Sequence, residues 1–205
     1  LLVFRIVRKI KYKSLYPLLP KEYNFGKRRD TFLKAMNMMT ENGASVLVES
    51  GVARHGLDYS KSDGASTIVF GIYAKNNGAK LYSVDINPDN IATCQKTIDK
   101  MNLSSCVELN TADSIEYLKE FSQKVDFLYL DSYDYNRNNP EIIKASQAHH
   151  LEEIKAIEKK LHENSIILID DCKLPGGGKG KSAIQYLQSN GWKILMNNYQ
   201  VLLKK

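Results

Sequence analysis

Cysteine is scarce in this chain. Cys94, Cys106 and Cys172 are the only three in 205 residues. Their number is odd and no C-x-x-C spacing occurs, which excludes a disulfide framework and a cysteine zinc site and points to a reducing, cytoplasmic compartment. Long apolar runs are missing too: no stretch approaches the ~20 residues that span a bilayer. The chain has no internal repeat and no low-complexity segment, and it lacks the G-x-G-x-x-G turn of dinucleotide-binding dehydrogenases. Its net charge is +6, but the lysines are spread along the whole length and the aromatics do not interleave with them. A mildly basic surface, compatible with an anionic substrate, follows from this; a nucleic-acid groove does not. The length suits one domain with a full core.

What the chain does have is an alternation of strand and helix patterns. Residues 1–26 are expected to form a basic, partly apolar arm or docking helix, set off by Pro17 and Pro20. Its first 13 residues mix apolar and basic positions, a pattern that suits contact with an anionic membrane surface, although the apolar part is too short for a signal peptide. The body, 27–205, opens with a helix over about 28–41. Strands are expected at 46–49, 80–85, 106–109, 125–131 and 165–170, with helices at about 65–74, after Pro88, from Asp113, and over 145–162 and 180–189. Two short strands near 192–196 and 199–203 close the chain around Asn197-Asn198, a pair suited to a hairpin turn. Repeated βα units ending in a hairpin predict an α/β fold: a doubly wound, Rossmann-like, seven-stranded and mostly parallel sheet with an antiparallel terminal strand.

Two of these strands end abruptly in carboxylates. Val125-Asp-Phe-Leu-Tyr-Leu-Asp131 and Ser165-Ile-Ile-Leu-Ile-Asp-Asp171 read as buried parallel strands, whose carboxyl ends are where open α/β sheets bind ligands. Neighbouring strands would deliver Asp131, Asp170 and Asp171 to one crevice, where the three would repel one another unless a cation or bound ligand neutralised them. Taken singly, each Asp also suits a helix or turn cap. Earlier in the chain, Glu49-Ser-Gly51 ends the first strand and Asp63-Gly-Ala-Ser-Thr67 opens a helix. Asp85 closes the second strand, where an acid can accept hydrogen bonds from two ribose hydroxyls. Asp113 and Ser114 follow the third, within reach of an adenine edge, while Asp113 with Glu116 also fits a capping box.

These pieces in this order resemble a class I S-adenosylmethionine-dependent methyltransferase, and within that class the small bacterial sugar-associated and catechol-type, metal-dependent O-methyltransferases. The resemblance runs from Val46-Leu-Val-Glu-Ser-Gly51 through Tyr82-Ser-Val-Asp-Ile-Asn-Pro88 and Leu128-Tyr-Leu-Asp-Ser-Tyr-Asp134 to Ile169-Asp-Asp171, about three quarters of the chain. The glycine-rich first motif departs from the family pattern, with Val52-Ala-Arg-His55 and an inserted loop in its place. The resemblance implies S-adenosylmethionine bound through Glu49, Gly51, Ser66, Thr67, Asp85, Asp113 and Ser114. It also implies a divalent cation on Asp131, Asp170 and Asp171, with Mg²⁺ first and Ca²⁺ or Mn²⁺ admissible for oxygen ligands. The base of relatives falls at Asp134. Helical geometry makes His150, on the sheet-facing side of its helix, the expected base, and failing that His149 beside it, although a histidine on an apolar face is as often a core residue. The implied acceptor is a hydroxyl on a sugar or other small polar molecule, an anionic glycan included, and a homo-oligomer is compatible.

Other readings remain beside this one. A nicotinamide dehydrogenase also carries an acid about 20 residues after a glycine turn, and a non-catalytic S-adenosylmethionine-binding module shares the fold. Pro175-Gly-Gly-Gly-Lys-Gly-Lys-Ser182 resembles a phosphate-binding loop, with Pro175 where the first glycine belongs. It is expected to close over the site and offer Lys179 and Lys181 to an acidic acceptor. Tyr133-Asp-Tyr135 is expected at the acceptor pocket.

Overall fold

The computed structural model describes residues 25–205. The expected basic arm therefore lies, but for its last two residues, outside the described residues. A short turn at Gly26–Arg28 leads into α1 (Arg29–Glu41), followed by β1 (Val46–Ser50), α2 (Ser60–Asp63), α3 (Ser66–Asn77), β2 (Lys80–Asp85) and α4 (Pro88–Lys100). Next come β3 (Val107–Thr111), α5 (Ser114–Glu120), β4 (Val125–Leu130), α6 (Pro140–Ile157), β5 (Leu161–Ile169), α7 (Lys181–Ser189), β6 (Lys193–Asn197) and β7 (Val201–Lys204). The seven strands form one sheet in the order β3-β2-β1-β4-β5-β7-β6. The first five are mutually parallel, and β7 runs antiparallel to both β5 and β6.

The uninterrupted apolar runs of β4 and β5 follow from helices covering both faces of the sheet. Phe127, Tyr129, Ile166 and Leu168 join one buried cluster with Phe32 and Met39 of α1 and Phe70 of α3. Leu128, Leu130, Ile167 and Ile169 point the opposite way, into a second cluster with Leu118 of α5, Ile154 of α6 and Leu187 of α7. Two adjacent residues of one strand thus serve two cores.

Most boundaries lie within a few residues of the sequence expectation. The largest shift is in α6, which starts at Pro140 instead of about 145. Asn139 caps it by accepting hydrogen bonds from the Glu141 and Ile142 amides, and proline supplies a preset first turn. The helix is correspondingly released early, and β5 begins at Leu161. The short helix α2, inside the Gly- and Ser-rich loop, was not foreseen. Pro88 sits at the first turn of α4 behind the Asn87 cap, as expected. Because β1 lies between β2 and β4, the chain's crossovers diverge at the β1/β4 seam, and this is where a crevice opens at the strand ends. Among the described residues no helix is long and apolar enough to cross a membrane.

Candidate active site

A cavity of about 800 Å³ opens at the carboxyl ends of the strands, within the range of small-molecule sites. Of the residues expected to hold the cofactor, Gly51, Ser66, Asp85, Asp113 and Ser114 line it. Gly51 has φ +81°, and an added Cβ would lie 2.7 Å from the Asp131 carbonyl oxygen, so only glycine lets the chain turn here between β1 and β4. Asp85 accepts hydrogen bonds from the amides of Asn87 at 2.8 Å and Val52 at 3.3 Å, and from the Asn90 side chain at 3.3 Å. Asp113 caps α5 by accepting from the Ile115 and Glu116 amides at 2.9 and 3.2 Å. Its capping role and its place at the cavity wall coexist.

Glu49 and Thr67 do not line the cavity; they stand behind it. Glu49 is fully buried and accepts from the Ser66 hydroxyl at 2.5 Å and the Ser83 hydroxyl at 2.7 Å. Burial pushes its carboxyl up to about 7, against the pull of those hydroxyls. The Thr67 hydroxyl accepts the Ala53 amide at 2.8 Å and so fixes the loop that replaces the compact glycine turn.

Asp131, Asp170 and Asp171 do converge, and two cations are lodged among them. The Lys179 ammonium lies 2.9 Å from Asp131 and 3.3 Å from Asp171. The Arg28 guanidinium lies 2.5 Å from Asp170 and 3.4 Å from Asp171. Tyr129 donates to Asp170 and Tyr199 to Asp171, each at 2.5 Å. Burial drives the Lys179 pKa down, but Asp131 and Asp171 outweigh it and hold the ammonium well above its ordinary value. Two internal cations thus offset most of the charge on the three carboxylates. A divalent ion does not fit this donor set unless Lys179 is displaced, and among the described residues no group of three or more His, Cys, Asp or Glu side chains is arranged to hold a metal.

Lys179 reaches this position because the loop after β5 folds back. Gly176, Gly177 and Gly178 all take positive φ, which only glycine adopts in succession without cost. Gln147 of α6 donates to the Gly176 and Gly178 carbonyls at 3.1 and 3.0 Å. The run that resembles a phosphate-binding loop therefore serves to bury a lysine, which is 5% exposed. Lys181 is exposed on α7 and lies off the cavity wall. Two non-glycine residues at positive φ, Tyr133 and Asp171, lie in the loops that leave β4 and β5, and both line the cavity.

The three candidate bases separate clearly. His150 is fully buried behind the wall, its Nδ1 2.9 Å from the Ser146 carbonyl, and burial depresses it to about 4. It does not line the cavity. Asp134 lines the cavity but is exposed and bound by Arg54 at 3.0 Å. His149 lines the cavity with Nε2 3.0 Å from the Ser114 hydroxyl and 3.6 Å from Glu153, and its ring lies 5.2 Å from that of Tyr133. Burial lowers its pKa, and Glu153 more than restores it, for a net rise. Glu153 is itself buried and accepts from Ser132 at 2.7 Å, and the two histidines hold its carboxyl down, to about 2, against the upward push of burial.

Arg28, Arg54, Asn90 and Tyr199 also line the cavity and were not among the expected site residues. Arg28 carried no local signal, because its partner Asp170 is 142 positions away. Asn90 was legible, lying five residues after Asp85 on the turn of α4 that faces back to the strand end. Tyr133 and Tyr135 line the cavity, as expected.

The family model described as a methyltransferase domain matches residues 62–172, just over half of the chain. A comparison with curated proteins found no match. Among solved structures, a candidate caffeoyl-CoA O-methyltransferase from Staphylococcus aureus is similar with a TM-score of 0.63 at 11% identity, over 98% of this chain and 92% of that one. The Podospora anserina methyltransferase PaMTH1, bound to S-adenosylhomocysteine, is similar with a TM-score of 0.60 at 12% identity, over 98% and 87%. A methyltransferase from Geobacter sulfurreducens gives 0.59 at 13% identity, over 99% and 85%. At such identities these likenesses show the fold. The family match spans the segment that carries Asp85, Asp113 and Asp131 to one cavity, and by it the chain belongs to the methyltransferase-domain family, as a class I S-adenosylmethionine-dependent methyltransferase.

Proposed function

We propose that this methyltransferase O-methylates a hydroxyl of a small, polar, largely neutral acceptor such as a sugar. The observation that carries the reading is the character of the cavity beyond the cofactor residues. It is walled by Asp131, Asp171, Lys179, Arg28, Tyr199 and Tyr135, with hydrogen-bonding groups where an apolar acceptor would need hydrocarbon. Arg28, Arg54 and Lys179 are each paired with carboxylates, which favours a polyhydroxylated neutral molecule over an anionic glycan.

S-adenosylmethionine supplies an electrophilic methyl group: the acceptor oxygen bonds to that carbon as the sulfur–carbon pair returns to sulfur. The chain's residues do the rest. Asp85 and Ser114 hold the nucleoside, and the strand-end wall holds the acceptor in line, which removes most of the entropic barrier to displacement. His149 takes the hydroxyl proton. It has the accessibility that His150 lacks, whereas Asp134 is tied to Arg54, and Glu153 stabilises the imidazolium that results.

The test is methyl transfer from labelled S-adenosylmethionine to a panel of sugars, catechols and small acids, with His149→Ala beside the wild type. A general base contributes about 10²–10⁴-fold, so the variant is expected to lose that much kcat while its KM for S-adenosylmethionine barely moves. The wild-type rate should rise with pH through a pKa above 6.5, since the neutral imidazole is the active form. The bond to Ser114 favours a second reading, in which His149 only orients the adenine-side wall. In that case KM for S-adenosylmethionine rises and kcat is spared.

A further inference from the structure

Lys179 is a charged side chain placed where charge is costly. Seating it requires three successive glycines at positive φ, two hydrogen bonds from Gln147 and a backbone hydrogen bond from the Lys179 amide to the Asp171 carbonyl at 3.3 Å. A solvent-facing loop has no need of such construction. Its result is a positive charge between the acids that end β4 and β5, at the acceptor end of the cavity.

We propose that Lys179 is a built-in cation that replaces a divalent ion at the strand-end acids, so that methyl transfer by this chain is metal-independent. An ammonium has three donors. Asp131 and Asp171 take two of them, which leaves one N–H for the acceptor oxygen. A hydrogen bond from a fixed cation lowers the pKa of that hydroxyl and holds it in place, the two services a bound metal would supply. Arg28 adds a second positive charge by binding Asp170, which is fully buried and so turned away from any ligand. The proton balance is unchanged: Lys179 keeps its protons, and the hydroxyl proton leaves to His149. The role of Lys179 as the acceptor's partner rests on the O-methylation reading above, whereas the exchange of lysine for metal can be read without it.

The experiment is Mn²⁺ binding followed by electron paramagnetic resonance in three full-length proteins: wild type, Lys179→Met and Lys179→Arg. Removing a unit charge a few ångströms from the ion changes its affinity at least about a hundredfold even at an effective dielectric of 20. Lys179→Met is therefore expected to bind one Mn²⁺ at least that much more tightly than wild type, and an added Asp131→Asn should abolish the gain. Lys179→Arg keeps the charge and should resemble wild type. Calorimetry with S-adenosylhomocysteine checks that each variant retains its fold. Stoichiometric Mn²⁺ binding to the wild type that Asp131→Asn removes would overturn the proposal, and so would a folded Lys179→Met that gains no binding. With an acceptor in hand, wild-type turnover should be the same in EDTA as in Mg²⁺; a loss in EDTA restored by Mg²⁺ sinks metal independence. Failure to methylate any hydroxyl would count against the O-methylation reading and leave the Mn²⁺ result standing.

Discussion

Replacing Asp85 by asparagine tests the cofactor geometry most directly. The carboxylate offers about four acceptor positions. Only the bond from the Asn87 amide is short, at 2.8 Å, whereas those from Val52 and Asn90 are stretched to 3.3 Å. Ribose hydroxyls can therefore displace the long contacts at little cost and gain hydrogen bonds to a charged acceptor. Such bonds contribute about 1.5–3 kcal/mol each. Asp85→Asn keeps the shape and one acceptor oxygen but loses the charge, so the Kd for S-adenosylhomocysteine should rise roughly 10- to 150-fold. Isothermal titration calorimetry gives the number, and thermal melting shows whether the loop between β1 and α2 has moved. NAD, titrated in parallel, should give no heat. A variant with unchanged melting and a Kd within about twofold of wild type would refute the reasoning, and Asp85 would then serve only to tie the Val52 and Asn87 turns together.

Two stability predictions accompany it. Gly51→Ala places a Cβ 2.7 Å from a backbone oxygen at φ +81°, and denaturant unfolding should show a loss of roughly 1–3 kcal/mol together with weakened cofactor binding; normal values for both would mean that the β1/β4 seam yields freely. Glu49 is held at about 7 in the folded chain against an ordinary 4.5. Its protonated form is the one the fold favours, so its contribution is full below about pH 4.5 and is lost as pH rises to 7. Relative to Glu49→Gln, wild-type stability should fall by roughly 3 kcal/mol across that window, and parallel pH profiles of the two proteins would show that Glu49 is not buried as a neutral acid.

The sheet was legible because its strands carry their own signal. Runs such as Phe127-Leu-Tyr-Leu130 are apolar at both parities, and only a strand covered on both faces needs that. Proline placed the start of α4, but α2, a single turn of polar residues, has no periodicity to read. The site divided along the same line. Gly51, Asp85, Asp113 and Asp131 stand at strand ends, so finding the strands found them. Arg28, Tyr199 and the neutralising position of Lys179 were not legible, because each acts through partners distant in sequence. His149 and His150 differ by one helical step of about 100°, too little for an uncertain helix axis to say which faces the cavity and which is sealed behind it.

By itself, then, the sequence determined the alternating βα order, the doubly wound sheet and the delivery of strand-end acids to one crevice, since periodicity and chain direction are local properties. Only the tertiary structure decided what neutralises those acids. Compensation of buried charge depends on distances between residues that the chain brings together last: an arginine before the first strand, a lysine on a glycine loop after the fifth, and a tyrosine before the seventh.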